Sequence, residues 1–195
     1  ILLPFEELPS NSWPNHGDTD VVRMLRVPKL PFISYPFEWC FSMLKAAALL
    51  TLDIHLLALE YGCVLKDASA YNVQFLNGKP IFIDLLSFER VREGCSWEAY
   101  GQFCTHFLAP LALMSLCDTR CGLLSQQWID GIPLDLASRL LPWRSWVSFG
   151  LVMHIHLHAA MRRKYGDTRR SAMKAKSFRL NTQHLRDVAR SLRDV

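Results

Sequence analysis

Apolar residues in this chain fall into a few distinct patterns. From Phe41 to Leu59 they are almost continuous, with Lys45, Asp53 and His55 as the charged or titratable breaks. Those breaks are too costly for a bilayer interior and suit a helix in a protein core. Gly62 stands where a helix-ending glycine belongs, and Met43, Ala47, Leu50, Ile54, Leu57 and Tyr61 form the stripe expected to be buried. A second helix is expected over SWEAYGQFCTHFLAPLALMSLC, with Ser96 as N-cap, Trp97, Tyr100, Phe103 and Phe107 facing the core, and a kink at Pro110. Further helices are expected at 134–141, 146–165 and 181–192. Between the two long helices, VQF and IFI read as short strands joined at Asn77-Gly78, a strong hairpin signal.

The expected fold is mainly α with a small β-hairpin, an α+β architecture. Residues 1–38, rich in proline, form an extended, hinge-like N-terminal segment. Residues 39–161 form a helical lobe carrying the hairpin at 73–84, and 162–195 a basic helical segment. The 195 residues begin at Ile1 and end in a charged, helix-like run, so a fragment of a longer chain is expected.

Charge divides the chain unevenly. The net charge is +4, but 162–195 holds 11 Lys and Arg against 3 Asp, while the rest is acidic overall. Nucleic acid is therefore one candidate partner of 162–195, although with few interleaved aromatics the run reads better as a solvated face. The 6 cysteines form no C-x-x-C pair and read as reduced thiols in apolar runs, which predicts a cytoplasmic setting. Cys117 with Cys121, and His154 with His158, share helical i, i+4 spacing, but neither pair has the further ligands a zinc site needs.

The hairpin carries the candidate chemistry. In LKDASAYNVQFLNGKPIFIDLLSFE, Asn72 and Asp84 lie at the same end of the two strands. A two-residue turn at Asn77-Gly78 sets Asn72 opposite Ile83 and puts Asp84 on the other face, whereas a three-residue loop pairs Asn72 with Phe82 and lets Asp84 share its face. A shared site asks for the second register, so an odd loop or a bulge is expected. Mg²⁺ takes oxygen ligands, and an aspartate with an asparagine carbonyl suits it, which makes Asn72 and Asp84 the candidate metal ligands. Asp67 is the candidate catalytic group, orienting or deprotonating a hydroxyl, and Lys66 a candidate phosphate partner.

The string D-A-S-A-Y-N from Asp67 to Asn72 stands where kinase-like proteins have D-x-x-x-x-N, and I-F-I-D-L-L stands where a strand delivers their second metal ligand. The stretch resembles the aminoglycoside and choline phosphotransferase branch, which implies a kinase-like C-lobe, ATP and Mg²⁺. It departs from that pattern at Leu65-Lys66, in place of His-Arg or His-Gly, and after Asp84, where no glycine follows. No glycine-rich phosphate loop precedes FISYPFEW. The strings LPFISYPFEWCFSMLKAAALLTL, LKDASAYNVQF, FIDLLSFE and QFCTHFLAPLAL also resemble bacterial proteins in which a kinase-like module precedes a class I S-adenosylmethionine-dependent methyltransferase domain. That resemblance covers most of residues 20–160. It implies a linked methyltransferase domain as partner, with S-adenosylmethionine bound and any methyl transfer carried out outside this chain.

Three functions remain open on the sequence. They are a non-catalytic nucleotide- and Mg²⁺-binding or docking module, an active ATP-dependent phosphotransferase on a small hydroxylated substrate, and a nucleic-acid-associated module using 162–195.

Overall fold

In the computed structural model, residues 1–13, 21–92, 94–165 and 182–195 are described. The fold is mostly helical, with small two-stranded sheets among the described residues. Its axis is α1, Phe41–Glu60, followed by strand β3, Cys63–Leu65. Gly62 makes the connection at φ +70°, a left-handed conformation that costs a glycine least.

Helix α1 is long and apolar enough to cross a membrane by composition, but it lies inside the protein, packed against β3, the hairpin and later helices. Its buried residues run through Leu44, Ala48, Thr51, His55 and Ala58, and through Ala47 and Ile54 on a neighbouring row. The expected stripe is therefore only partly right. Ala47, Leu50 and Ile54 are buried, whereas Leu57 is 40% and Tyr61 78% exposed. Almost every position in the helix is apolar, so hydrophobicity alone does not say which side faces out. The open side is marked by Lys45, Asp53 and Glu60.

The hairpin comprises β4, Val73–Leu76, and β5, Lys79–Phe82, paired antiparallel with Val73 opposite Phe82 and Leu76 opposite Lys79. This is a two-residue loop. Asn77 and Gly78 both have positive φ, at 51° and 74°, as the hairpin turn matched to strand twist requires. The expected odd loop or bulge is thus absent. Strand β6, Phe88–Arg90, returns beside β3.

The N-terminal segment is extended, with one minimal strand pair, β1 (Glu6–Glu7) and β2 (Leu25–Arg26). Its start runs beside β5, where Leu3 N donates to the Phe82 carbonyl at 2.8 Å. Further on, the buried Gln74 side chain accepts from Ser34 N at 3.0 Å and donates to Ser34 O at 2.9 Å. That amide does for Ser34 what a neighbouring strand would do.

The second helical region starts later than expected, at α2, Tyr100–Phe103, because Trp97 and Ala99 are held in a preceding turn. Ser96 is exposed and is not its cap. A widened π turn, Cys104–Leu108, leads into α3, Ala109–Leu116. Pro110 lacks an N–H and crowds the carbonyl four residues back, and the wider turn immediately before it accommodates that defect. Short helices follow at α4 (Leu124–Gln127), α5 (Leu134–Leu140) and α6 (Phe149–Leu151), then a second π turn at Val152–His156 and α7 (Leu157–Tyr165). Helix α8, Thr182–Arg193, returns to pack on α1 with Leu185, Ala189 and Leu192 buried. The helix expected from 146 thus begins at Phe149, and much of the basic run, 166–181, lies outside the described residues.

The histidines of HIHLH tie helices together. His154 bonds the Tyr100 hydroxyl at 2.7 Å and the Ser191 hydroxyl at 3.0 Å. His156 sits between the Ser138 and Ser145 hydroxyls, each at 2.8 Å, and stacks on Trp146. The cysteines are all free thiols, but only Cys104 is buried and Cys40, Cys95 and Cys117 are exposed, contrary to the expectation of core thiols.

Two predictions test this core. Leu59→Ala removes a side chain that is 3% exposed and should cost about 2 to 5 kcal/mol, whereas Leu57→Ala on the open side should cost less than about 1 kcal/mol, both read by urea denaturation. The second concerns His55, fully buried and stacked on Trp97 with ring centroids 4.0 Å apart. Burial lowers its pKa from 6.5 to about 4. Between those values the unfolded chain binds the proton and the folded one does not, so this stability is complete above 6.5 and is lost as pH falls through 4. The loss should amount to about 3 kcal/mol, and His55→Phe should remove that part of the pH dependence while keeping the stack. An unchanged pH profile in the variant would contradict the assignment.

Candidate functional site

Strand β3 delivers the site. Its ladder with β6 extends one step beyond Leu65, where Lys66 N donates to the Ser87 carbonyl at 2.8 Å, so loop 66–72 lies directly against loop 84–87. The Lys66 side chain itself is exposed.

Asp67 opens a tight turn in which its Oδ1 accepts the Ser69 N–H at 2.8 Å and the Ser69 hydroxyl accepts the Tyr71 N–H at 3.2 Å. Such side-chain mimicry of a backbone turn is what aspartate and serine do well. The Ala68 N–H is claimed by Gln102 Oε1 at 2.8 Å, fixing the loop to α2. A single 3₁₀ turn, Ala70–Asn72, then leads into β4.

Asp84 lies just beyond β5 in a second turn of the same kind. Its Oδ1 accepts from Leu86 N at 2.9 Å, and its Oδ2 accepts the Ser87 hydroxyl proton. Ser87, only 1% exposed, also accepts from the Asn72 amide Nδ2 at 3.3 Å. One buried hydroxyl therefore joins Asn72 to Asp84. Face alternation, which forbids their meeting in this register, holds only while the backbone stays extended. The ladder ends with Ile83 N donating to Asn72 O at 2.8 Å, and Asp84 turns back immediately after it.

Beside this loop sits a group that the candidate motif does not include. His106, buried in the first π turn, meets the Tyr71 ring edge-on at 6.2 Å. Burial lowers its pKa, against the opposing charges of Asp67 and Asp130. Tyr71 is raised by burial and by Asp130. Gln102 and His106 are polar residues at i, i+4 spacing in a largely apolar helical run, a signal present in the sequence, whereas nothing in LLSF marks Ser87.

The structure brings Lys66, Asp67, Asn72 and Asp84 into two adjoining loops. It links Asn72 to Asp84 through the Ser87 hydroxyl, and leaves Lys66 exposed. Among the described residues no group of three His, Cys, Asp or Glu side chains is arranged to hold a metal, so a cation here would rest on Asp84, the Asn72 carbonyl and oxygens from its own ligand.

No protein-family model matches the chain, and no solved structure matches it significantly. The chain is 43% identical over 141 residues to the nodulation protein NoeA of Rhizobium meliloti (strain 1021), a match that covers 72% of this chain and 30% of that relative's length.

Proposed function

We propose that this chain is a degenerate kinase-like module that binds a magnesium nucleotide without turning it over and docks beside a linked S-adenosylmethionine-dependent methyltransferase domain. The observation that carries the reading is the meeting of the Asn72 amide and the Asp84 carboxylate at the Ser87 hydroxyl, next to the Asp67 turn. The order of parts supports it too. A buried helix, an aspartate-to-asparagine loop, a strand ending in aspartate and a following set of helices stand in the order the sequence resemblance implies.

The same geometry favours binding over turnover. Both Asp84 oxygens already accept hydrogen bonds from their own loop, so a cation must share them. Where the resemblance would place a histidine, the buried Leu65 side chain contributes only packing. A phosphotransferase acting on a small hydroxylated molecule is the second reading, favoured by Asp67, whose Oδ1 is engaged in its own turn while, among the described residues, its other oxygen keeps capacity to accept from a hydroxyl.

Thermal unfolding with ATP tests both. With Mg²⁺ present, ATP should raise the melting temperature, worth about 2.7 kcal/mol at a hundredfold excess over its dissociation constant, and Asp84→Ala should abolish the shift. No phosphate release or transfer should accompany binding. ATP turnover that disappears in Asp67→Ala would establish the second reading instead, and absence of any Mg²⁺-dependent shift would reject both.

A further inference from the structure

Against the N-terminal half of α1 lies a cavity of about 370 Å³, within the size range of small-molecule sites and sharing no residue with loops 66–72 and 84–87. Its interior is apolar, built from residues such as Leu52, Phe103 and Ala112. Well-packed interiors leave few voids larger than a water molecule, because an unfilled apolar space forfeits the dispersion contacts of its walls. An apolar cleft of this size, open at one side, offers an apolar ligand contacts that water does not make.

Beside the neutral Ser115, Ser145 and Ser148, the charged side chains of the lining have one sign. Lys45 from α1, Arg144 from the turn after α5 and Arg193 from α8 border the cavity, and no acidic side chain does. Lys45 makes no ion pair among the described residues. Arg144 donates one hydrogen bond to the Leu116 carbonyl at 2.6 Å, and Arg193 pairs with Asp53. A guanidinium has five N–H donors, so each arginine keeps donors to spare. Arg193 is 43% exposed at its side chain, and Lys45 and Arg144 are also exposed, which places the charges at the mouth and the apolar walls within.

We infer that this cavity binds an amphipathic anion, an apolar chain held between α1 and α3 with a carboxylate or phosphate head at Lys45, Arg144 and Arg193. The apolar walls supply affinity without direction, and the cations fix which end faces out. A free nucleotide fits poorly, since its base and sugar would leave polar groups unpaired against those walls.

Calorimetry on the 195-residue chain tests this with decanoate, decyl phosphate and decanol below their aggregation limits, and inorganic phosphate as the head alone. At least one of the two amphipathic anions should saturate a single site, with decanol and inorganic phosphate each roughly tenfold weaker or more, and the tighter anion identifies the head group. Ala112→Trp, which fills the cavity, should abolish binding of the chain-bearing ligands. Lys45→Glu changes an exposed side chain, leaves the fold intact, and should weaken the anions roughly tenfold while leaving decanol unaffected. Failure of both anions to saturate, equal binding of decanol, or unchanged anion affinity in Lys45→Glu would overturn the inference.

Discussion

The indole N–H of Trp97 donates to the Leu65 carbonyl at 2.7 Å in the core, and the placement of the candidate site depends on that bond. Leu65 is the last residue of β3, so fixing its carbonyl fixes where Lys66 and Asp67 emerge. The same indole stacks on His55 of α1 and meets Phe103 of α2 at 6.0 Å, so one side chain sets three elements at once. A buried tryptophan whose N–H is satisfied combines a large apolar surface with a directional anchor. His55 contributes by remaining neutral, because a charge between α1 and that indole would have no partner.

From that anchor outward, the loops are held by their own polar side chains. Asp67 and Ser69 accept from backbone N–H groups, Asp84 accepts from a backbone N–H and the Ser87 hydroxyl, Ser87 accepts from the Asn72 amide, and Gln102 adds one bond from the helix side. These bonds define two rigid turns, and they also engage the oxygens that the proposed cation would need. The proposal of binding without turnover follows from this double use of the carboxylates. The cavity bordered by Lys45, Arg144 and Arg193 shares no residue with these loops and stands as a separate site.

Much of the helical framework was legible in the sequence. The run from Phe41, the glycine at 62 and the Asn-Gly turn each mark a single local structure strongly enough to be read without tertiary context. Two features were not legible. The outward side of α1 is set by what packs on it, including α8 from far along the chain, so Leu57 and Tyr61 look like core residues in sequence and are not. Strand parity brings Asn72 and Asp84 together only through an odd loop, whereas the hairpin takes the two-residue register and the contact arises beyond the strand end, through Ser87. No periodicity reports on a turn that reverses after one residue. His106 was half legible, since its polar pairing with Gln102 is visible but its proximity to Asp67 depends on the fold.

The central claim is that Asn72 and Asp84 together hold the cation of a bound nucleotide. Mn²⁺, substituted for Mg²⁺ in the presence of ATP, broadens NMR signals of nuclei close to it, so an isotope-labelled sample reports the position of the metal directly. The account predicts selective broadening of the Asn72 side-chain amide and of the backbone amides of 67–72 and 84–87, all lost in Asp84→Ala. Broadening centred elsewhere, or broadening that persists unchanged in that variant, would contradict it.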